Sequence, residues 1–198
     1  MTTAHTITPI WQGDTVAVIG CGTSATPTAA EQLRGQVDRT IVVNHAHRLA
    51  PWADMLVALD ANWPQEYRDF PGLRVTGIED PGLDALYIGP RWERVDHPDR
   101  GAIEVINSGL TALRIAGLMG ARRIMLLGFE PEQNVRFYDD QVDTGNLTHA
   151  DDPYAGVVQG LANITAQLQA AGVSVHHFRS AEAQPAKKKP ARREAVHG

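Results

Sequence analysis

The sequence predicts an α/β fold: a three-layer sandwich with a mostly parallel sheet and helices on both faces. Three observations carry that expectation. Short β-branched runs alternate with helical patterns along most of the chain. The runs are near-continuously apolar, as in strands covered on both sides. Glycine, proline and helix-capping residues punctuate the boundaries between them. With 198 residues, 43% of them hydrophobic and 21% charged, the chain has the composition of an ordinary globular protein and the length for one buried core. One domain is expected over residues 1–179 and a disordered basic tail over residues 180–198.

Taken in order, Thr15–Gly20 (TVAVIG) reads as a buried strand, followed by the loop Gly20-Cys21-Gly22-Thr23-Ser24. Thr26 then caps a helix that has Pro27 at its first position, where a missing N–H costs nothing. Arg39–Asn44 (RTIVVN) and Met55–Asp60 (MLVALD) are the second and third strands. Asn62–Phe70 reads as a short helix, and Leu73–Ile78 and Ala85–Ile88 as weaker strands. The charged, proline-bearing stretch between Gly89 and Val105 reads as a loop or lid. Asn107 caps a helix over Ser108–Met119 that ends at Gly120 and leads into the strand Arg122–Leu127 (RRIMLL). Pro153 starts a long helix with Val157, Leu161, Ile164 and Leu168 at three- and four-residue spacing, and Val173–Phe178 is the last strand. No internal repeat is present.

Charge is placed unevenly. The formal net charge is −5, yet the tail from Ser180 holds Lys187, Lys188, Lys189, Arg192 and Arg193 against two acids. Of the 18 basic and 23 acidic residues in the whole chain, 13 and 21 remain without it, leaving a body near −8. A body that acidic argues against a broad nucleic-acid face and leaves only weak contact through the tail. No run reaches the roughly 18 apolar residues that span a bilayer, so no membrane partner is expected. The start lacks the basic and apolar parts of a signal peptide, and Cys21 is the only cysteine, which excludes internal disulfides. A cytoplasmic location is expected, and a homo-oligomer is left open.

In open parallel sheets, ligands sit beyond the carboxyl ends of the strands. Gly20, Gly22, Thr23 and Ser24 join the first strand to its helix, where small residues let the backbone approach an anion and amides face it. The plainer reading is a tight turn with Ser24 or Thr26 capping. The glycines fit a loose dinucleotide fingerprint, but that fingerprint wants an acid at the end of the second strand, where Asn44 stands, so NAD is disfavoured. His45 and His47 form an H-x-H pair that needs Asp54 or Asp60 to complete a metal site. With no clear third ligand, no metal is assigned. Asp60 is expected to hold a ligand hydroxyl or a cation, or to cap the next helix. Asn107, Ser108 and Gly109 start a helix that offers an amide and a hydroxyl to a ligand, or is simply capped. Glu130 suits a ribose or sugar hydroxyl, or general-base work. Within the polar stretch after it, His149 is the candidate for proton transfer, and a solvated loop histidine is its plainer reading.

With those residues in view, the chain resembles a Rossmann-like group that includes the bacterial sialyltransferases of glycosyltransferase family 42, the archaeal-type 6-hydroxymethylpterin diphosphokinases and uncharacterised phage proteins. The resemblance runs from about Val16 to Phe178. AVIGCGTSAT is similar to the group's first strand and glycine loop, with Thr23 in place of its proline. VVNHAH resembles its second-strand asparagine, and INSGLTALRIAGLMGARRIMLLGFE is the stretch most similar to it. The resemblance implies a nucleotide held by Gly20, Gly22, Ser24, Asn44, Ser108 and Gly109, with Glu130 near its ribose or the transferred group. It also implies His149 as general base and Tyr138 or Tyr154 beside the leaving phosphate.

The expected function is therefore nucleotide binding, with a metal-independent, glycosyltransferase-like reaction on a cytidine nucleotide sugar and no required cofactor. The alternatives are a module that binds or senses a nucleotide without transforming it, and a pterin-type diphosphokinase using ATP and magnesium.

Overall fold

A computed structural model describes residues 8–59, 64–80, 82–88, 92–97, 101–130 and 155–180. Strands β1 (Thr15–Ile19), β2 (Arg39–Val43), β3 (Met55–Ala58), β4 (Leu73–Thr76), β5 (Leu86–Tyr87), β8 (Arg123–Leu127) and β9 (Ser174–His177) form one sheet in the order β5-β4-β3-β2-β1-β8-β9. Every neighbouring pair is parallel, for example Ile19 opposite Val42 on one side of β1 and opposite Leu127 on the other. The chain thus lays strands outward from β1 in one direction, then crosses over β1 and continues on its far side.

Helices cover both faces, and the strands explain why. In β1, Val16 and Val18 point to one side and Ala17 and Ile19 to the other, and all four are wholly buried. The first side packs on α3 (Ser108–Leu118) and α4 (Ala155–Ala170) through Leu110, Leu113, Leu161 and Ile164. The second packs on α1 (Pro27–Arg34) through Ala29, Ala30 and Leu33, with Tyr67 of the short helix α2 (Gln65–Arg68) further along. Burying each large side chain contributes roughly 1.5–3 kcal/mol. The result is the Rossmann-like three-layer sandwich of the α/β class.

Helix starts follow the sequence closely. Thr26 caps α1, its hydroxyl accepting from the Ala29 amide at 3.1 Å, with Pro27 at the first helical position. Asn107 caps α3, its Oδ1 accepting from Gly109 N at 2.8 Å and Leu110 N at 3.1 Å.

The stretch read as a loop between Gly89 and Val105 is corrected. Residues Trp92–His97 (β6) and Gly101–Ile106 (β7) pair antiparallel as a separate two-stranded hairpin that lies against α4. Several other elements are shorter than expected. The second strand stops at Val43, and Asn44–Arg48 winds into a 3-10 turn. The helix expected over Asn62–Phe70 is confined to Gln65–Arg68. The predicted start of the long helix at Pro153 lies outside the described residues, as does the basic tail. No helix of the described residues is long and apolar enough to cross a membrane.

Candidate ligand site at the strand-order reversal

The chain reverses direction across the sheet between β1 and β8, and the loops that leave these two strands meet at their carboxyl ends. That is where open α/β sheets receive ligands. On one side stands the loop Gly20–Ser24 and on the other Gly128, Phe129 and Glu130. The loops are stitched together by Gly20 N to Leu127 O at 2.7 Å and Gly22 N to Gly128 O at 2.9 Å. Gly128 has φ +72°, and a Cβ there would stand 2.6 Å from Gly20 O and 2.8 Å from the Ala25 Cβ. Neither the backbone conformation nor the space admits a side chain.

Ser24 is the centre of the junction. Its hydroxyl donates a short hydrogen bond to Glu130 Oε1 and accepts from Gly128 N at 3.0 Å, while its amide points to Glu130 Oε2 at 3.4 Å. A Cβ on Gly22 would collide with that same carboxylate. This glycine makes room for an acidic side chain of the protein itself. The loop's amides were expected to face an anion, and here they are engaged within the chain: Gly20, Gly22 and Ser24 as described, and Ala25 N on Gly22 O at 3.0 Å. The space a phosphate would take is held by Glu130.

The start of α3 does come to the same place. Phe129 lies between the two glycine segments, its ring 3.0 Å from a notional Cβ on Gly20 and 3.1 Å from one on Gly109. The α3 amides, however, are satisfied by Asn107, and the Ser108 hydroxyl accepts from Leu59 N at 3.0 Å. Ser108 therefore ties α3 to the end of β3. Asn107 and Ser108 play the plainer capping and bracing roles, and Gly109 makes room for a phenyl ring.

Asn44 keeps its expected place at the end of β2 but in an unexpected state. It has φ +49°, the one positive value among non-glycine residues described, and its Oδ1 is buried with no hydrogen-bond partner among the described residues. Asparagine tolerates this left-handed conformation better than most residues. A buried acceptor without a donor costs about 1–3 kcal/mol, so both features mark the position as one held for something other than stability. Next to it, Cys21 Sγ donates to Val43 O at 3.3 Å, joining the β1 loop to the turn after β2.

The H-x-H pair does not meet Asp54, one of its two proposed aspartates. Asp54 sits elsewhere, accepting from Thr40 N at 2.8 Å and Arg39 Nη1 at 3.2 Å. Both imidazoles instead face Glu66 of α2: His45 Nδ1 at 3.2 Å from Oε1 and His47 Nε2 at 3.6 Å from Oε2. Arg48 grips the same carboxylate with two hydrogen bonds, Nη2 to Oε1 at 2.7 Å and Nε to Oε2 at 3.0 Å. The guanidinium hydrogen bonds hold the Glu66 carboxyl below its ordinary pKa. Burial, then the charge of Arg48, pushes the His45 imidazole below its own. Glu66, Arg48 and Tyr67 were not singled out from sequence. Only Glu66 carried a signal, as an acid on a helix just past the third strand. Among the described residues, no group of three or more His, Cys, Asp and Glu side chains is arranged to hold a metal ion. His149, Tyr138, Tyr154 and Asp60 lie outside the described residues.

Fold and site together define an α/β protein of Rossmann-like architecture with a polar junction of two loops at its strand-order reversal. No family model matches the chain, and neither curated proteins nor solved structures give a match.

Proposed function

We propose that this chain binds a nucleotide-type small molecule at the carboxyl edge of the sheet over β2, β1 and β8. The observation that carries the reading is the reversal of strand order between β1 and β8, with Glu130 and Ser24 joined at the carboxyl ends of those strands. In this reading Glu130 keeps acceptor capacity beyond its bonds to Ser24 and takes ribose or sugar hydroxyls. The Asn44 Oδ1, buried without a donor among the described residues, takes a ligand N–H or O–H. The finer proposal is a metal-independent transfer from a cytidine nucleotide sugar, with His149 as base and Tyr138 or Tyr154 beside the leaving phosphate. It rests on the resemblance of AVIGCGTSAT, VVNHAH and INSGLTALRIAGLMGARRIMLLGFE to the family 42 group. A second reading, a module that binds without transferring, is favoured by the internal hydrogen bonds of the Gly20, Gly22, Ser24, Ala25, Gly109 and Leu110 amides, which withdraw those donors from a departing phosphate.

A thermal-shift screen over CMP, UMP, GMP, AMP and their sugar conjugates tests the binding. A ligand at a hundred times its Kd stabilises the folded state by about 2.7 kcal/mol. At least one nucleotide should raise the melting temperature, and Glu130→Ala should abolish the shift. A screen with no shift rejects the reading. With a stabilising nucleotide sugar in hand, His149→Ala separates transfer from binding: transfer requires lost turnover with binding intact.

A further inference from the structure

The turn after β2 concentrates positive charge in an acidic body. Within the five residues Asn44–Arg48 are His45, His47 and Arg48, and all three converge on the one carboxylate of Glu66. Tyr67 packs against both imidazoles, with ring centroids 5.5 Å from His45 and 5.3 Å from His47, which fixes them side by side. His47 is further held by Nδ1, 3.0 Å from Asn44 O. The imidazoles are mostly buried, whereas the Arg48 and Glu66 side chains keep 37% and 32% of their exposure. A solute can therefore reach the guanidinium without unfolding the turn.

The charge balance is the decisive point. One carboxylate carries a single negative charge and two oxygens, yet it faces a permanent guanidinium and two groups that can become cationic. A phosphate offers a second charge and more oxygens to the same three partners, and the planar guanidinium fork fits it as well as it fits a carboxylate. Position adds a second argument. The Cys21 bond to Val43 O makes this turn the direct neighbour of the β1 loop. At the other end of that loop the Glu130 carboxylate, held by Ser24, repels an anion, so the negative end of a ligand is better placed at Arg48.

We propose that His45, His47 and Arg48 form the oxyanion-receiving site of this protein, taking the phosphate group of a nucleotide-type ligand where Glu66 now sits. The identity of the ligand rests on the proposed function. The preference for an oxyanion rests on the cluster alone. Glu66 is then a stand-in that keeps the cations paired while no ligand is bound.

Calorimetric titration of the full chain with pyrophosphate tests the site, with cytidine and CMP compared in parallel. The wild-type chain should bind pyrophosphate. Arg48→Met should weaken binding about tenfold, the loss of one charge-assisted bidentate contact. Glu66→Gln should tighten it several-fold by removing the competing charge, an effect that a purely structural ion pair does not produce. Arg48→Lys, which keeps the charge but loses the fork, serves if Arg48→Met does not fold. Unchanged affinity in the Arg48 variants, or no gain in Glu66→Gln, overturns the assignment. Cytidine binding as tightly as CMP overturns it too, while leaving the ligand reading in place. Pyrophosphate binding as tightly as any nucleotide supports the site and removes the nucleotide reading.

Discussion

The turn after β1 and the turn after β2 each close on a glutamate from a distant part of the chain, Glu130 for the first and Glu66 for the second. Their partners differ in kind. Glu130 is held by a hydroxyl and an amide of Ser24, neutral donors that leave its charge without a cation among the described residues. Glu66 is held by Arg48 with His45 and His47 beside it, so cationic capacity exceeds the charge it brings. The two halves of one edge thus invite opposite ligand chemistry: hydroxyl donors at the first, an oxyanion at the second. A nucleotide carries both.

The comparison can be broken most severely at Gly128. Alanine there must adopt φ near +72° with its Cβ 2.6 Å from Gly20 O. Strain and overlap together should cost about 2–4 kcal/mol, read by urea denaturation. A loss under about 0.5 kcal/mol would mean the two loops are not locked to one another. The Glu66 side of the edge should be less affected, because no described contact of Gly128 reaches it.

A second test concerns pH. His45 has its folded pKa below the ordinary 6.5, so folding favours the neutral ring. Its contribution is present above about pH 6.5 and is lost as pH falls toward the folded value. The groups acting on it are Arg48 and His47, which oppose its protonation, and Glu66, which favours it. Glu66, itself shifted downward, loses its contribution only below its ordinary 4.5, so the two separate. Stability should decline between pH 7 and 5.5, and His45→Gln should flatten that decline. An unaltered slope in the variant assigns the decline to other groups.

The smallest expected change in stability, and the sharpest contrast with binding, lies at Asn44. Glycine accepts φ +49° freely and removes the buried Oδ1 that lacks a donor among the described residues. Asn44→Gly should therefore alter stability by less than about 1 kcal/mol while weakening nucleotide binding. Equal binding in both proteins would remove Asn44 from the site.

Much of this was legible in local sequence. The TVAVIG and RRIMLL runs, the Thr26-Pro27 start and the Asn107 cap depend on neighbours a few residues away, and each formed as read. The hairpin at residues 92–106 was missed because Glu93, Arg94, Asp96 and Pro98 mask the apolar alternation that marks a strand pair. At the candidate site the sequence picked out Gly20, Gly22, Ser24, Asn44 and Glu130, but it assigned free amides where the folded chain has filled them. Ser24 and Glu130 are 106 residues apart, and nothing local to either announces the other. The same holds for Glu66 and the H-x-H pair, one of whose two candidate partners, Asp54, was engaged by Arg39 instead.

By itself, then, the chain's pattern of apolar runs, caps and glycines determined its class, because strand and helix signals arise from short-range sterics and from which faces must be buried. Only the tertiary structure decided strand order, and with it which acids meet which turns. Hydrogen bonds and ion pairs across the sheet edge depend on the path of the crossover from β5 to β8, and that path has no signature within any one segment.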